Sequence, residues 1–325
     1  MEFIKILSYF FVSFLSLLLT FYVSKKFNLY DLPDGKKIHS TKTPNIGGLA
    51  LIFLILFSIL INDISKDLEF IYYLCCFVVL IGFYDDLKNL NVIKKLLFIS
   101  IPVISFIYHV SLVDYLGSFF SYNLYLGKFS FFYTFMCILL LMNAVNYMDG
   151  MDGLLSILII LSLTYIFLLL PLHKTTFFLP IICFLIVFLF FNLNILPKQF
   201  LGDSGSLGLG FILASLSIYY TQYENLIHPS IIIWCLCFYV YEFLTINILR
   251  IKNKKNVFKK DLDFIFNLLN KNNSTLVTIT ICCIIKIFFL LNGLIINHFE
   301  LYNFSIMIFI IYFFIYLYLR LKQAK

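Results

Sequence analysis

The 325 residues are 62% hydrophobic and 19% aromatic but only 13% charged, about half the charged share of a soluble domain. That balance excludes an ordinary water-soluble enzyme and places most of the chain in lipid. The formal net charge of +7 would suit nucleic acid if the basic residues formed a patch, but they lie in loops between apolar runs, and no nucleic-acid motif accompanies them.

Apolar runs of roughly span length predict helices near 3–23, 46–62, 69–83, 95–112, 129–147, 154–171, 176–195, 205–220, 230–249, 274–296 and 300–320. The first run is longer than a signal-peptide core and lacks a small-residue cleavage site, so it reads as a retained span. The fold expected is an all-α polytopic transmembrane bundle of about eleven spans. It forms one domain over residues 1–325, because apolar spans bundle without a separate aqueous core. Cys75, Cys76, Cys137, Cys183, Cys235, Cys237, Cys282 and Cys283 all fall inside these runs without paired metal spacing, and read as small packing residues. With eleven spans, alternate loops lie on opposite sides. One side then holds 19 of the 24 basic residues and the other holds four, with Lys286 inside the tenth run. The basic side is predicted to be the cytosol, which puts the N-terminus outside and the C-terminus inside.

Four polar clusters fall on that basic side. The first, Asp31-Leu-Pro-Asp-Gly-Lys36-Lys37-Ile-His39 followed by Pro44-Asn-Ile-Gly47-Gly48, joins cations and a histidine to a glycine pair opening a helix. That combination suits an anion, and equally an ordinary basic loop with a turn. The second is Asp85-Asp86 with Lys88, Lys94 and Lys95 close behind. Acids beside a membrane core are costly unless they have a task, and adjacent residues on a helix point apart, so two different tasks are expected, with a solvated helix end as the bland alternative. The third, Asn143-Ala-Val-Asn146-Tyr-Met-Asp149-Gly-Met-Asp152-Gly-Leu154, spaces its polar side chains at i, i+3, i+6 and i+9. On a helix these would share one face, and oxygen ligands on one face suit a hard cation. The fourth, Leu201-Gly-Asp203-Ser-Gly-Ser206-Leu-Gly208, precedes the eighth run. There free backbone donors and a carboxylate would hold a metal-bound phosphate, or Asp203 or Ser204 would cap the helix. Beyond these, seven cations lie between Arg250 and Lys271 around an amphipathic run, Phe258, Leu262, Ile265 and Leu269, which predicts a helix on the membrane surface.

In this order and on one side, the clusters resemble those of the polyprenyl-phosphate N-acetylhexosamine-1-phosphate transferases, glycosyl transferase family 4. The undecaprenyl-phosphate N-acetylglucosaminyl-1-phosphate transferases match better than the related phospho-N-acetylmuramoyl-pentapeptide transferases. The resemblance runs from about residue 31 to residue 267 and is carried by Asn-x-x-Asn-x-x-Asp-Gly-x-Asp-Gly-Leu with Gly-Asp-x-Gly-Ser. It implies a bacterial inner-membrane enzyme with a cytosolic active site, a UDP-sugar donor, a polyprenyl phosphate acceptor, Mg²⁺ (or Mn²⁺ in its place) and release of UMP. Contact with membrane lipid follows, and a homodimer is compatible with it. It further implies metal positions at Asn146 and Asp203, and catalytic or lipid-phosphate roles for Asp85 and Asp86. Asp149 and Asp152 match site acids. Lys36, Lys37 and His39 match a basic substrate loop, and Asn143, Lys95, Ser206 and Arg250 are further expected substrate contacts.

One departure stands out. The family's histidine motif follows a Phe and an Asp, here Phe258 and Asp261, yet the register continues into Phe264-Ile265-Phe266-Asn267 with no histidine. The family's Asp before Arg250 is also replaced, by Glu242. The departure leaves an altered donor, or a weakened or lost activity as in a non-catalytic paralogue that binds the lipid carrier. A separate rival, a lipid transporter, predicts polar residues gathered near the bilayer midplane; here they gather at span ends, and Lys286 is the one charge deep in a run.

Overall fold

The computed structural model describes residues 2–31, 42–120, 122–255 and 263–323. Among them the helices are α1 (Glu2–Phe27), α2 (Leu49–Ile61), α3 (Lys66–Lys88), α4 (Val92–His109), α5 (Ser130–Tyr147) and α6 (Leu154–Leu169). There follow α7 (Phe178–Asn192), α8 (Gly202–Ile218), α9 (Pro229–Lys252), the short α10 (Ile265–Asn270), α11 (Thr275–His298) and α12 (Tyr302–Gln323). Apart from α10, each lies on a run predicted from the sequence. Seven are long and apolar enough to cross a membrane: α1, α3, α4, α5 with the turn before it, α9, α11 and α12. The protein is therefore a polytopic helical membrane protein. The apolar helices α2, α6 and α7 are shorter, with 13, 16 and 15 residues. At 1.5 Å per residue even the longest of these rises only about 24 Å, less than a hydrocarbon core of about 30 Å.

Helix α8 is the centre of the bundle. It packs chiefly on α3 and α5, and every one of its residues except Asp203 is buried. Small residues allow this. A Cβ at Gly208 would lie 2.6 Å from the Val79 side chain, and one at Gly210 would lie 2.8 Å from the Met142 Cα. Close approach of helix backbones needs such positions. Beyond Ile218 the helix loosens into a π turn, Tyr219–Tyr223. There Gln222 Oε1 accepts from Tyr115 N at 3.1 Å, and its Nε2 donates to Tyr115 O at 2.8 Å. Tyr115 begins a hairpin absent from the sequence reading, β1 (Tyr115–Phe119) with β2 (Tyr122–Tyr125), antiparallel.

Two expectations are corrected. Helix α3 runs five residues beyond its predicted end, so Asp85 and Asp86 lie on its final turns; Asn89 ends it in the left-handed region (φ 48°). The predicted surface helix is described only from residue 263, with Phe258, Asp261 and Leu262 outside the described residues. Its described start is not a surface: Phe264, Ile265 and Phe266 are buried. Apolar side chains there find protein neighbours rather than lipid.

Candidate active site

At one end of α8 the loops from four parts of the chain meet. The backbone of residues 44–48 runs beside that of 200–201: Phe200 N donates to Pro44 O at 2.8 Å, Gly47 N to Phe200 O at 2.9 Å, and Gly48 N to Leu201 O at 2.8 Å. The glycine pair therefore does not offer these amides to an anion. Its purpose here is contact, because a Cβ on Gly48 would fall onto the Gly205 nitrogen and lie 2.5 Å from the Gly205 Cα.

The N-terminus of α8 is capped from another helix. Asp86 accepts from Asp203 N at Oδ1 and from Ser204 N at Oδ2, both at 3.1 Å, and Asn45 Nδ2 donates to Oδ1 at 3.3 Å. A carboxylate against the positive end of a helix dipole, accepting charge-assisted hydrogen bonds, is favourable. So two of the free donors expected before the eighth span, the amides of Asp203 and Ser204, are taken, and the cap is neither Asp203 nor Ser204. Gly202 makes the approach feasible. It has φ 75°, and a Cβ there would lie 2.6 Å from Asp86 Oδ2.

Asp85, its neighbour, points elsewhere. Its Oδ1 accepts from Leu90 N at 2.8 Å, and its Oδ2 pairs with Lys95 Nζ at 2.8 Å. Lys95, on the first turn of α4, also pairs closely with Asp203 Oδ2. From α5, Asn146 Nδ2 donates to Asp203 Oδ1 and to Ser206 Oγ, each at 3.1 Å. Asp85, Asp86, Lys95, Asn146, Asp203 and Ser206 thus form one network around the one α8 residue that is not buried. Lys95 pairs with two of these carboxylates, Asp85 and Asp203, while Asp86 faces the α8 amides; two acids against one ammonium make a place that suits a further cation.

The other expected residues lie differently. The run from Asn143 to Asp152 is not one helical face, because α5 ends at Tyr147 and Asp149 and Asp152 sit in the turns that follow. Asn143 Nδ2 donates back to Leu139 O at 2.7 Å. Asp149 is exposed. Asp152 pairs with Lys198 at 2.5 Å, a lysine the sequence marked only as a basic loop residue. Arg250 is buried, its guanidinium carbon 5.6 Å from the Tyr147 ring and 5.8 Å from that of Phe264. Lys36, Lys37 and His39 lie outside the described residues. Asn45 and Lys198 are the polar contacts the sequence reading did not single out. Asn45 stands between Pro44 and the glycine pair, where a turn residue is the ordinary reading.

Among the described residues, no three His, Cys, Asp or Glu side chains converge as a metal cage. Mg²⁺ does not require one, since it commonly binds through one or two carboxylates together with substrate phosphates. Asp203, with the Asn146 amide beside it, is a donor set of that size.

The comparisons with known proteins bear on this same stretch. Residues 68–221 match the model of the family described as Glycosyl transferase family 4. The undecaprenyl-phosphate alpha-N-acetylglucosaminyl 1-phosphate transferase of Escherichia coli is 27% identical over 265 residues, covering 78% of this chain and 72% of that protein. The Salmonella typhi protein of the same name is 27% identical over 267 residues, with the same shares covered. The phospho-N-acetylmuramoyl-pentapeptide-transferase of Petrotoga mobilis is 27% identical over 246 residues, covering 67% of this chain and 75% of that protein. The segment matched by that family model carries Asp85, Asp86, Lys95, Asn146, Asp203 and Ser206, in line with the resemblance the motifs had indicated.

Proposed function

We propose that this protein transfers a sugar 1-phosphate, of the N-acetylhexosamine class, from a UDP-sugar to a polyprenyl phosphate, releasing UMP and starting a lipid-linked envelope glycan. The observation that carries the proposal is the network around Asp203, at the solvent-facing end of an otherwise buried helix. The names of the relatives, which act on undecaprenyl phosphate, support it. Alongside it we place the eleven-span topology in a single domain, with this end of the bundle in the cytosol of a bacterial inner membrane. Nineteen of the 24 basic residues lie on that side under this topology. The comparisons give no support to a homodimer.

In the working mechanism, an oxygen of the lipid phosphate attacks the β-phosphorus of the donor. The bond to the bridging oxygen breaks, and UMP leaves with that oxygen. A phosphate monoester has its second pKa near 6, so the acceptor is mostly dianionic at neutral pH and a strong base is not obligatory. Mg²⁺, when bound through Asp203 and Asn146, would neutralise charge on the pyrophosphate and on the departing UMP. Asp85 would orient the acceptor or take its residual proton, and Asp86 would hold the α8 N-terminus in place. Lys95, released from Asp203 as phosphates enter, would pair with them. Arg250, Asn143 and Ser206 would serve the donor, and Asp149 and Asp152 would border it.

The test is UMP release by purified protein in detergent with undecaprenyl phosphate, over a panel of UDP-N-acetylhexosamines with Mg²⁺ or chelator. Chelator-sensitive release is expected with at least one donor. Silence across the panel, with the lipid shown to bind, would replace the proposal by a non-catalytic carrier-binding role.

A transporter is not favoured. Its expected midplane charge, Lys286, is fully buried, donates to Cys235 O and lies 4.3 Å from the centre of the Tyr239 ring. An apolar side chain there removes the desolvation cost of a buried ammonium, so Lys286→Met should keep UMP release within about twofold of wild type. A loss of an order of magnitude in that assay would show that the midplane charge takes part.

A further inference from the structure

Glu242 and Arg320 form a buried ion pair that none of the motifs contains in full. Glu242 is 0% and Arg320 2% exposed. Arg320 Nη2 donates to Glu242 Oε1 at 3.0 Å, and its Nε donates to Oε2 at 3.2 Å. Tyr316 Oη donates to the same Oε2 at 2.5 Å. Both partners also grip the backbone leading into α10: Ile265 N donates to Glu242 Oε1 at 2.6 Å, and Arg320 Nη2 donates to Asp263 O at 2.6 Å. A buried pair repays its desolvation only when its remaining hydrogen-bonding positions are filled. Here the backbone of residues 263–265 fills two of them.

The segment so held bears the aromatic residues that stand where histidines were expected. Phe264 and Phe266 stack at 5.3 Å with 9° between their planes. Phe264 meets Tyr147 edge-on at 5.3 Å, and both rings flank the Arg250 guanidinium. Phe266 lies against the turn that holds Asp149 and Asp152, since a Cβ on Gly150 would be 2.6 Å from its Cζ. Two side chains therefore connect the ion pair to Arg250 and to that turn.

We propose that Glu242 and Arg320 are positioning residues for donor binding: the pair from α9 and the terminal helix fixes Phe264 and Phe266, and these keep Arg250 and the Asp149–Asp152 turn in register. The phenylalanines then act as a buried brace. The inference rests on the transferase reading above for the donor and its kinetic readout, whereas the brace between the ion pair and the Asp149–Asp152 turn stands on the contacts alone.

The experiment compares wild type with the double variant Glu242→Leu/Arg320→Met, an apolar replacement of similar volume that leaves no unpaired charge. Two quantities are read on the purified full chain in detergent. The KM for the UDP-sugar should rise about tenfold while kcat per folded molecule stays within about threefold, as expected when a binding group is displaced. Amide hydrogen exchange should quicken both in residues 263–270 and in residues 147–153. Arg320→Lys reaches the carboxylate but not both oxygens and Asp263 O, so its KM should lie between the two; it carries the same readouts should the double variant not fold. A fall in kcat with unchanged KM, or faster exchange confined to residues 263–270, would overturn the proposal. If wild type releases no UMP, the exchange result still decides the brace, and the transferase reading is what fails.

Discussion

Asp203→Asn is expected to lower chelator-sensitive UMP release by about 10³-fold, the scale of losing a charge that stabilises a phosphoryl-transfer transition state, without unfolding the protein. The two halves of this expectation have separate causes. Asp203 Oδ1 accepts from Asn146 and its Oδ2 pairs with Lys95, so the substitution removes the negative charge around which the network is arranged. The α8 cap, however, is supplied by Asp86 to the backbone amides of residues 203 and 204, and those amides remain. Asp86→Ala should therefore behave differently. It removes the cap, costing about 0.5–2 kcal/mol, and releases the backbone that carries Asp203, so stability and rate should fall together. Thermal melts in detergent beside the UMP assay distinguish the cases. If Asp203→Asn melted as early as Asp86→Ala, Asp203 would be a structural residue and the site would need another centre.

The second large effect is expected at Gly48. A Cβ there would fall onto the Gly205 nitrogen and lie 2.5 Å from the Gly205 Cα. Neither atom can move aside as a flexible side chain would, so Gly48→Ala must displace α2 or the start of α8. Overpacking of this kind costs about 1–3 kcal/mol or more. The displaced segment begins with Gly202 and Asp203, where a misplacement of about 1 Å is worth about 10²-fold in rate. Gly127→Ala is the comparison. Gly127 has φ 54° but nothing within 4 Å of an added Cβ, so its cost is backbone strain of about 1–2 kcal/mol, with UMP release per folded molecule unchanged. Equal rates for Gly48→Ala and wild type would show that the close contact between the first and fourth loops does not position Asp203.

Much of this molecule was legible in the chain itself. The apolar runs located eleven helices because a segment that buries its backbone polar groups in lipid must form them internally, which makes local composition decisive. The motif run and the Gly-Asp-Ser-Gly-Ser stretch brought Asp85, Asp86, Asn146 and Asp203 forward because ionisable and amide groups beside a membrane core are costly to keep unless they serve a site. Spacing misled where it assumed a continuous helix: α5 stops at Tyr147, so Asn146 and Asp152 face different partners. What required the tertiary structure was every relation between distant segments. That Asp86 caps α8, that Lys95 bridges Asp85 and Asp203, that Lys198 holds Asp152 and that Arg320 reaches Glu242 all depend on which helix ends meet. A hydrogen bond between groups that lie far apart in the chain leaves no periodic trace in a sequence. It arises only when packing, here the close approach of helices to a glycine-rich α8, has removed the water that would otherwise satisfy both groups.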